Sequence, residues 1–222
     1  MTQSASRMQT DFDRIALVSR DGWDHNSHYH DFLLQQIPPH LSSALDIGCG
    51  TGEFSRWLAE RCDQVLAIDL SLQMIRLARE RSSQQPNIEF EIADVMTRQF
   101  APESFDCIAS IATLHHLPLD EMLVKMKRAL KPNGTLLALD LFQERGLYDP
   151  SNLLAVPASI ALRLVKTGRL QQSTEARAAW DEHGKHDSYL TLSQIKNICA
   201  DILPGAQIRK HLLWRYSIVW NK

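Results

Sequence analysis

The stretch Ala44-Leu45-Asp46-Ile47-Gly48-Cys49-Gly50-Thr51-Gly52 decides how the rest of the chain is read. A short apolar run, Ser43 to Gly48, has the character of a strand. Three glycines follow at every second position, and a helical segment, Glu53 to Arg61, comes next. Glycine lets a backbone turn sharply and come close to a ligand that a side chain would displace. The first turn of the following helix offers unpaired N–H groups and a partial positive charge, which suit a carboxylate or a phosphate.

Two further acids stand at matching places. Asp69 ends a second apolar strand, Gln64 to Asp69, where a carboxylate can accept hydrogen bonds from both hydroxyls of a ribose. Asp94 ends a third, Ile88 to Asp94, where a carboxylate can accept from an adenine amino group, with Val95 beside it to flank the base. All three acids therefore sit at carboxyl ends of strands, where ligands of open α/β sheets bind.

The same rhythm runs outward. Upstream, residues 7 to 20 carry Met8, Phe12, Ile15 and Leu17 at helical spacing behind a frayed tail of residues 1 to 6, and a second helix runs from Ser27 to Ile37 until Pro38-Pro39 stops it. Downstream, a helix from Ser71 to Ser82 has Ser71 as N-cap. A strand Phe105 to Ile111, a helix Pro118 to Leu130, a turn Lys131-Pro132-Asn133-Gly134 and a strand Thr135 to Phe142 follow. Residues 143 to 190 break the pattern with helices at Ser151 to Thr167 and Glu175 to Trp180, and read as a lid or substrate wall over the sheet edge. Helix Leu192 to Ile202 and strands Gln207 to Trp214 and Tyr216 to Trp220 close the chain. The short link between these strands makes them antiparallel.

The segments LDIGCGTG, VLAIDLS, IEFEIADV, FDCIASIATLHHL and LKPNGTLLALDLF resemble the successive motifs of the class I S-adenosylmethionine-dependent methyltransferases, in order, over residues 43 to 142. The resemblance implies an α/β fold: a Rossmann-like, seven-stranded, mostly parallel sheet with helices on both faces and an antiparallel C-terminal strand. It implies one domain over residues 1–222, with a helical cap (1–40), a cofactor-binding core (41–142), the insertion (143–190) and a closing helix and strand pair (191–222). It also implies the cofactor, S-adenosylmethionine, with S-adenosylhomocysteine as product. By the same resemblance Asp46, Gly48, Gly50 and Gly52 cradle the methionine part. Asp69 holds the ribose, with Leu70 and Met74 near the adenosine, and Asp94 and Val95 address the adenine. Ser110 and Ile111 lie beside the methionine tail and methyl group, and Tyr29 or its neighbour His28 touches the methionine end. The rival reading is a dinucleotide site, whose fingerprint is GxGxxG. Here the spacing is GxGxG, and Asp46 suits a cationic amino or sulfonium group better than a pyrophosphate.

Composition narrows the acceptor. With 24 basic and 26 acidic side chains the net charge is −2, which does not advertise a nucleic-acid partner. The basic stretch Lys125 to Lys131 carries apolar residues at helical spacing and reads as the wet face of a helix. Ser110-Ile111-Ala112-Thr113 stands where base-modifying relatives carry an Asn/Asp-Pro-Pro-aromatic motif. The expected acceptor is a small molecule, handled by a monomer or homodimer away from membranes. Cys49, Cys62, Cys107 and Cys199 form no CxxC pair, and the polar N-terminus lacks an apolar signal core, so a cytoplasmic location is expected. His115, after the fourth strand, is the candidate catalytic residue, able to orient or deprotonate an acceptor. His116 is its alternate. His25, His28 and His30 lack a carboxylate pattern, and no metal site is expected. His183 and His186, in the insertion, either line a substrate pocket or are solvated, and Trp23, Trp180, Tyr148 and Tyr189 fall in segments expected to cover the cofactor.

Overall fold

The computed structural model describes residues 3–18, 24–143, 150–168, 174–185 and 187–222. Trp23, Tyr148 and His186 lie outside them. Seven strands are formed: β1 (Leu41–Ile47), β2 (Cys62–Asp69), β3 (Ile88–Ile92), β4 (Phe105–Ile111), β5 (Leu130–Leu141), β6 (Gln207–His211) and β7 (Arg215–Asn221). They lie in one sheet in the order β3-β2-β1-β4-β5-β7-β6. The pairs from β3 to β5 are parallel, and β7 runs antiparallel to both its neighbours. The expected sheet is therefore the observed one. The chain builds outward from β1 to β3 and then returns to the other side of β1 with β4. That reversal opens a crevice at the carboxyl ends of β1 and β4.

Alternation along the central strands shows that both faces are covered. Leu136 and Ala138 point to one core, with Ile108 and the helices α5 (Leu119–Ala129) and α8 (Leu192–Ile202), which contribute Met122, Leu123, Met126, Ile195 and Cys199. Leu137 and Leu139 point to the other, with Cys107 and Ala109, against Leu33 and Leu34 of α2 (His30–Leu34) and Phe54 and Leu58 of α3 (Glu53–Ala59). A period of two with apolar residues in both phases is what a doubly covered strand requires.

The boundaries differ from the sequence reading where local geometry wins. The first helix, α1, spans Gln3–Val18, so residues 3 to 6 are helical and not a tail. These polar residues extend a helix that is held by Ile15 and Ala16. The second helix shrinks to a 3-10 turn at Ser27–Tyr29 followed by the five residues of α2. β6 stops at His211, because Leu213 and Trp214 take left-handed conformations, φ 62° and 57°. Such a conformation is strained for a bulky side chain; Leu213 is fully buried, and its packing opposes that strain. The Lys131–Gly134 turn is an excursion inside β5. Leu130 pairs with Phe105 and Thr135 with Cys107, and Asn133 has φ 63°.

α1 docks on α4 (Leu72–Arg81) through Asp13. Its Oδ1 accepts from Ser71 Oγ at 2.5 Å and from Gln73 N at 3.1 Å, placing a carboxylate at the N-terminus of α4. Ser71 Oγ in turn accepts from Met74 N, the N-cap bond expected of it. Residues between Gln143 and Thr191 leave and return at one point: those two residues bridge, and Gln143 N donates to Leu190 O at 2.9 Å. Within this excursion lie α6 (Pro150–Thr167) and α7 (Thr174–Gly184), and Ala179 of α7 packs with Ile15, Ala16 and Met74. Asp13→Ala removes two bonds at a helix N-terminus, a loss of about 1–2 kcal/mol. Trypsin should then cut after Arg14 roughly 5–30 times faster under native conditions, while urea unfolding of the sheet moves little.

Candidate active site

The crevice holds a cavity of about 670 Å³. Its floor is the glycine turn. Gly48 and Cys49 each donate a backbone N–H to Ile68 O, at 2.9 and 3.0 Å, which pins the turn to the end of β2. Gly48 has φ 71°, and a Cβ there would sit 2.1 Å from Thr113 Oγ1, so the loop after β4 can close over it only because it is glycine. At Gly50 (φ 53°) a Cβ would meet nothing within 4 Å, which leaves the backbone open to the cavity. Gly52 does not line the cavity. It faces Phe90 and Ala78, where a Cβ would be 3.0–3.2 Å from their nearest atoms, and it serves helix packing.

The acids meet at this floor. Asp46 is 1% exposed, and its Oδ2 accepts from Ser55 Oγ at 2.6 Å. Burial pushes its pKa up to about 7. The Ser55 bond opposes this and the nearby Asp69 charge adds to it. Asp69 accepts from Gly50 N through Oδ2 (2.9 Å) and from Ser71 N through Oδ1 (2.8 Å), and burial raises its pKa too. The backbone N–H of Leu70 also supports this carboxylate, so not all of its roughly four acceptor positions are used. Asp94 accepts from Met96 N at 2.9 Å through Oδ1. Asp46, Asp69 and Asp94 all line the cavity, as do Leu70, Met74, Val95 and Ile111.

Besides Gly52, three expected residues stand off it. Ser110 is fully buried and donates from Oγ to Ile47 O, clamping β4 to β1. Tyr29 points away, and its hydroxyl donates to Leu212 O at 2.5 Å. Its neighbour His30 lines the cavity instead, ring against Phe54, with Nδ1 buried and without a hydrogen-bond partner. Burial lowers the His30 pKa to about 4, so the ring is neutral at pH 7. His115 lies behind the wall. Its backbone N–H donates to Asp140 Oδ2 at 2.7 Å, and its Nδ1 lies 2.5 Å from Asp140 Oδ1. An ionised carboxylate only accepts, which puts the proton on Nδ1. His116 is the one that lines the cavity, and burial lowers its pKa.

Residues to which the sequence reading gave no site role, together with Trp180, which it expected over the cofactor, complete the enclosure. Thr113 follows Ala112, whose φ is 51°. A Thr–Leu–His–His run after a strand gives no hint of that turn. Met8 and Phe12 of α1, Arg163, Lys166 and Thr167 of α6, and Trp180 of α7 form the roof.

Two acids sharing one cavity, Asp46 buried and Asp69 partly so, fit a cationic ligand, since a positive charge between them favours both ionised forms. With Asp46 titrating near 7 in the free protein, binding of S-adenosylhomocysteine, whose ammonium would face it, should release a proton. Calorimetry at pH 6 should give an affinity roughly tenfold below that at pH 8, and Asp46→Asn should flatten the dependence. The same raised pKa means that Asp46 makes the ligand-free fold more stable below about pH 4. That contribution falls as pH rises to about 7, the reverse of an ion-paired acid.

Residues 45–138 match the family described as methyltransferase domain. Over 205 residues the chain is 27% identical to an uncharacterized methyltransferase of Mycobacterium tuberculosis, covering 90% of this chain and 96% of that one. It is 28% identical over 199 residues to a ubiquinone biosynthesis O-methyltransferase of Xylella fastidiosa, covering 81% and 79%. Among solved structures it is similar to phosphoethanolamine N-methyltransferase 2 of Haemonchus contortus, in complex with phosphomonomethylethanolamine and S-adenosylhomocysteine. The TM-score there is 0.65 at 21% identity, over 93% of this chain and 45% of that one, which speaks to the fold. The glycine turn, the spaced strand-end acids and the 3-2-1-4-5-7-6 sheet, together with this domain match and these relatives, support a class I S-adenosylmethionine-dependent methyltransferase.

Proposed function

We propose that the chain transfers the methyl group of S-adenosylmethionine to a small-molecule acceptor enclosed between the glycine turn and the helices α1, α6 and α7. The observation that carries this is the single cavity that runs from Asp69 and Asp94 to Phe12, His116 and Trp180. Its volume lies in the range of about 300–1,000 Å³ typical of small-molecule sites. The relatives support the reading, since one is named for ubiquinone biosynthesis and another is solved with a small phosphorylated amine.

When bound, the cofactor supplies a methyl group already activated by its sulfonium. What remains for the protein is position. Asp69 binds the ribose hydroxyls, Asp94 and Val95 the adenine, and Asp46 and the turn at Gly48–Gly50 the amino-acid tail. Leu70 and Met74 flank the nucleoside, and Ile111 faces the reacting end. Holding two reactants in line can supply about 7–11 kcal/mol of a bimolecular barrier, so a base is needed only where the acceptor must lose a proton. His116 is the group placed to take that proton: it lines the cavity, and its lowered pKa keeps it neutral at pH 7. His115 acts as a positioning residue, locking the loop to β5 through Asp140.

Asp69→Ala should weaken S-adenosylhomocysteine binding by about 1.5–3 kcal/mol per lost hydrogen bond, tenfold or more in Kd. Unchanged affinity by calorimetry would remove the ribose assignment. A screen of small nucleophiles with isotope-labelled donor, read by mass, tests the activity itself. Once an acceptor is found, His116→Gln should reduce turnover at pH 7 while S-adenosylhomocysteine affinity holds. Equal turnover at every pH would exclude His116 from proton transfer.

A further inference from the structure

Three histidines and two acids from four parts of the chain meet beside the cavity. His115 and His116 come from the loop after β4, His183 from α7, Asp187 from just beyond it and Asp11 from α1. One ligand atom from each of His115, His116 and Asp187 lies within 4.8 Å of the others. Asp187 Oδ1 is 3.4 Å from His116 Nδ1 and 3.7 Å from His183 Nε2. Both separations exceed those of a strong hydrogen bond. They match the spacing of ligands around a tetrahedral ion, about 3.4 Å for bonds of about 2.1 Å.

Two features point to an ion and not to a plain polar contact. His183 has a side chain only 6% exposed, and its Nε2, on the side of Asp187, has no hydrogen-bond partner. An unmet buried polar atom is costly and calls for an explanation. The far nitrogens are also arranged as in metal centres, where a ligating histidine gives its other N–H to a carboxylate. His115 Nδ1 holds Asp140 Oδ1, and His183 Nδ1 faces Asp11 Oδ2 at 3.6 Å. The Tyr189 hydroxyl donates to Asp187 Oδ2 at 2.8 Å, which fixes that carboxylate and leaves Oδ1 to the histidines.

We propose that His115, His116 and Asp187, with His183 beside them, form a binding site for a divalent transition-metal ion of borderline softness, such as Zn²⁺. Imidazole and carboxylate donors suit such an ion. An ion here would tie the insertion to the loop after β4 and, through His116, would form part of the cavity wall; with Nδ1 on the ion the other ring nitrogen keeps its proton, so His116 takes an acceptor's proton only in the ion-free chain. It binds whether or not the acceptor is small.

The test uses the full chain, stripped with chelator and titrated with Co²⁺ by visible absorption and with Zn²⁺ by calorimetry. One ion per chain with histidine-type Co²⁺ bands is expected. His116→Ala and Asp187→Asn should each weaken binding tenfold or more, and Tyr189→Phe, which keeps every ligand, about 10–100-fold. His40→Ala, at an exposed histidine, should change nothing. S-adenosylhomocysteine affinity shows that each variant is folded. Absence of binding, or wild-type affinity in the Asp187 and Tyr189 variants, overturns the proposal and leaves the methyltransferase reading intact.

Discussion

The structure depends on two carboxylates, Asp46 and Asp69, placed where adjacent strands end and water is largely excluded. An unpaired charge is expensive to bury. This fold lowers the cost with local donors: Ser55 for Asp46, and Gly50 and Ser71 for Asp69. These bonds are also what shape the site. The Asp69–Gly50 bond draws the glycine turn onto β2, and the Ser71 hydroxyl that caps α4 is the one that reaches Asp13 of α1. Binding floor, helix cap and N-terminal roof are therefore one hydrogen-bonded chain. The raised pKa of both acids reports that their charges still await a counter-charge.

A similar economy holds on the other side of the cavity. Asp140, fully buried in β5, accepts from the backbone N–H of His115, faces its ring, and accepts from Leu141 N. That fixes the loop after β4 and turns His116 toward the cavity and toward α7. Phe12 stands 5.6 Å from the His116 ring and 4.7 Å from that of His183. The first helix, the loop and the insertion so share one aromatic and imidazole seam. Enclosure of the site rests on side chains from opposite ends of the sequence.

The central sheet was legible because its signals are local. Apolar alternation, glycines at fixed spacing and acids at strand ends are each written within a few residues, and Asp46, Asp69 and Asp94 all line the cavity. Most of the misplacements have causes that lie far off in sequence. Tyr29 and His30 are neighbours whose side chains diverge, and the direction of each is set by what packs there, Leu212 for one and Phe54 for the other. His115 and His116 are also adjacent, and which one faces the cavity is decided by Asp140, a residue far along the chain. The strand read as Gln207 to Trp214 ends early because left-handed turns at leucine and tryptophan carry no residue signature.

By itself the sequence determined the layer order, the glycine turn and the acids beneath it, because strand periodicity and backbone freedom depend only on near neighbours. Only the tertiary structure decided which residues close the cavity and which histidines meet. His116, His183 and Asp187 converge through the packing of α7 on α1 and of the loop on β5. No short-range rule encodes a contact made by chain segments that far apart.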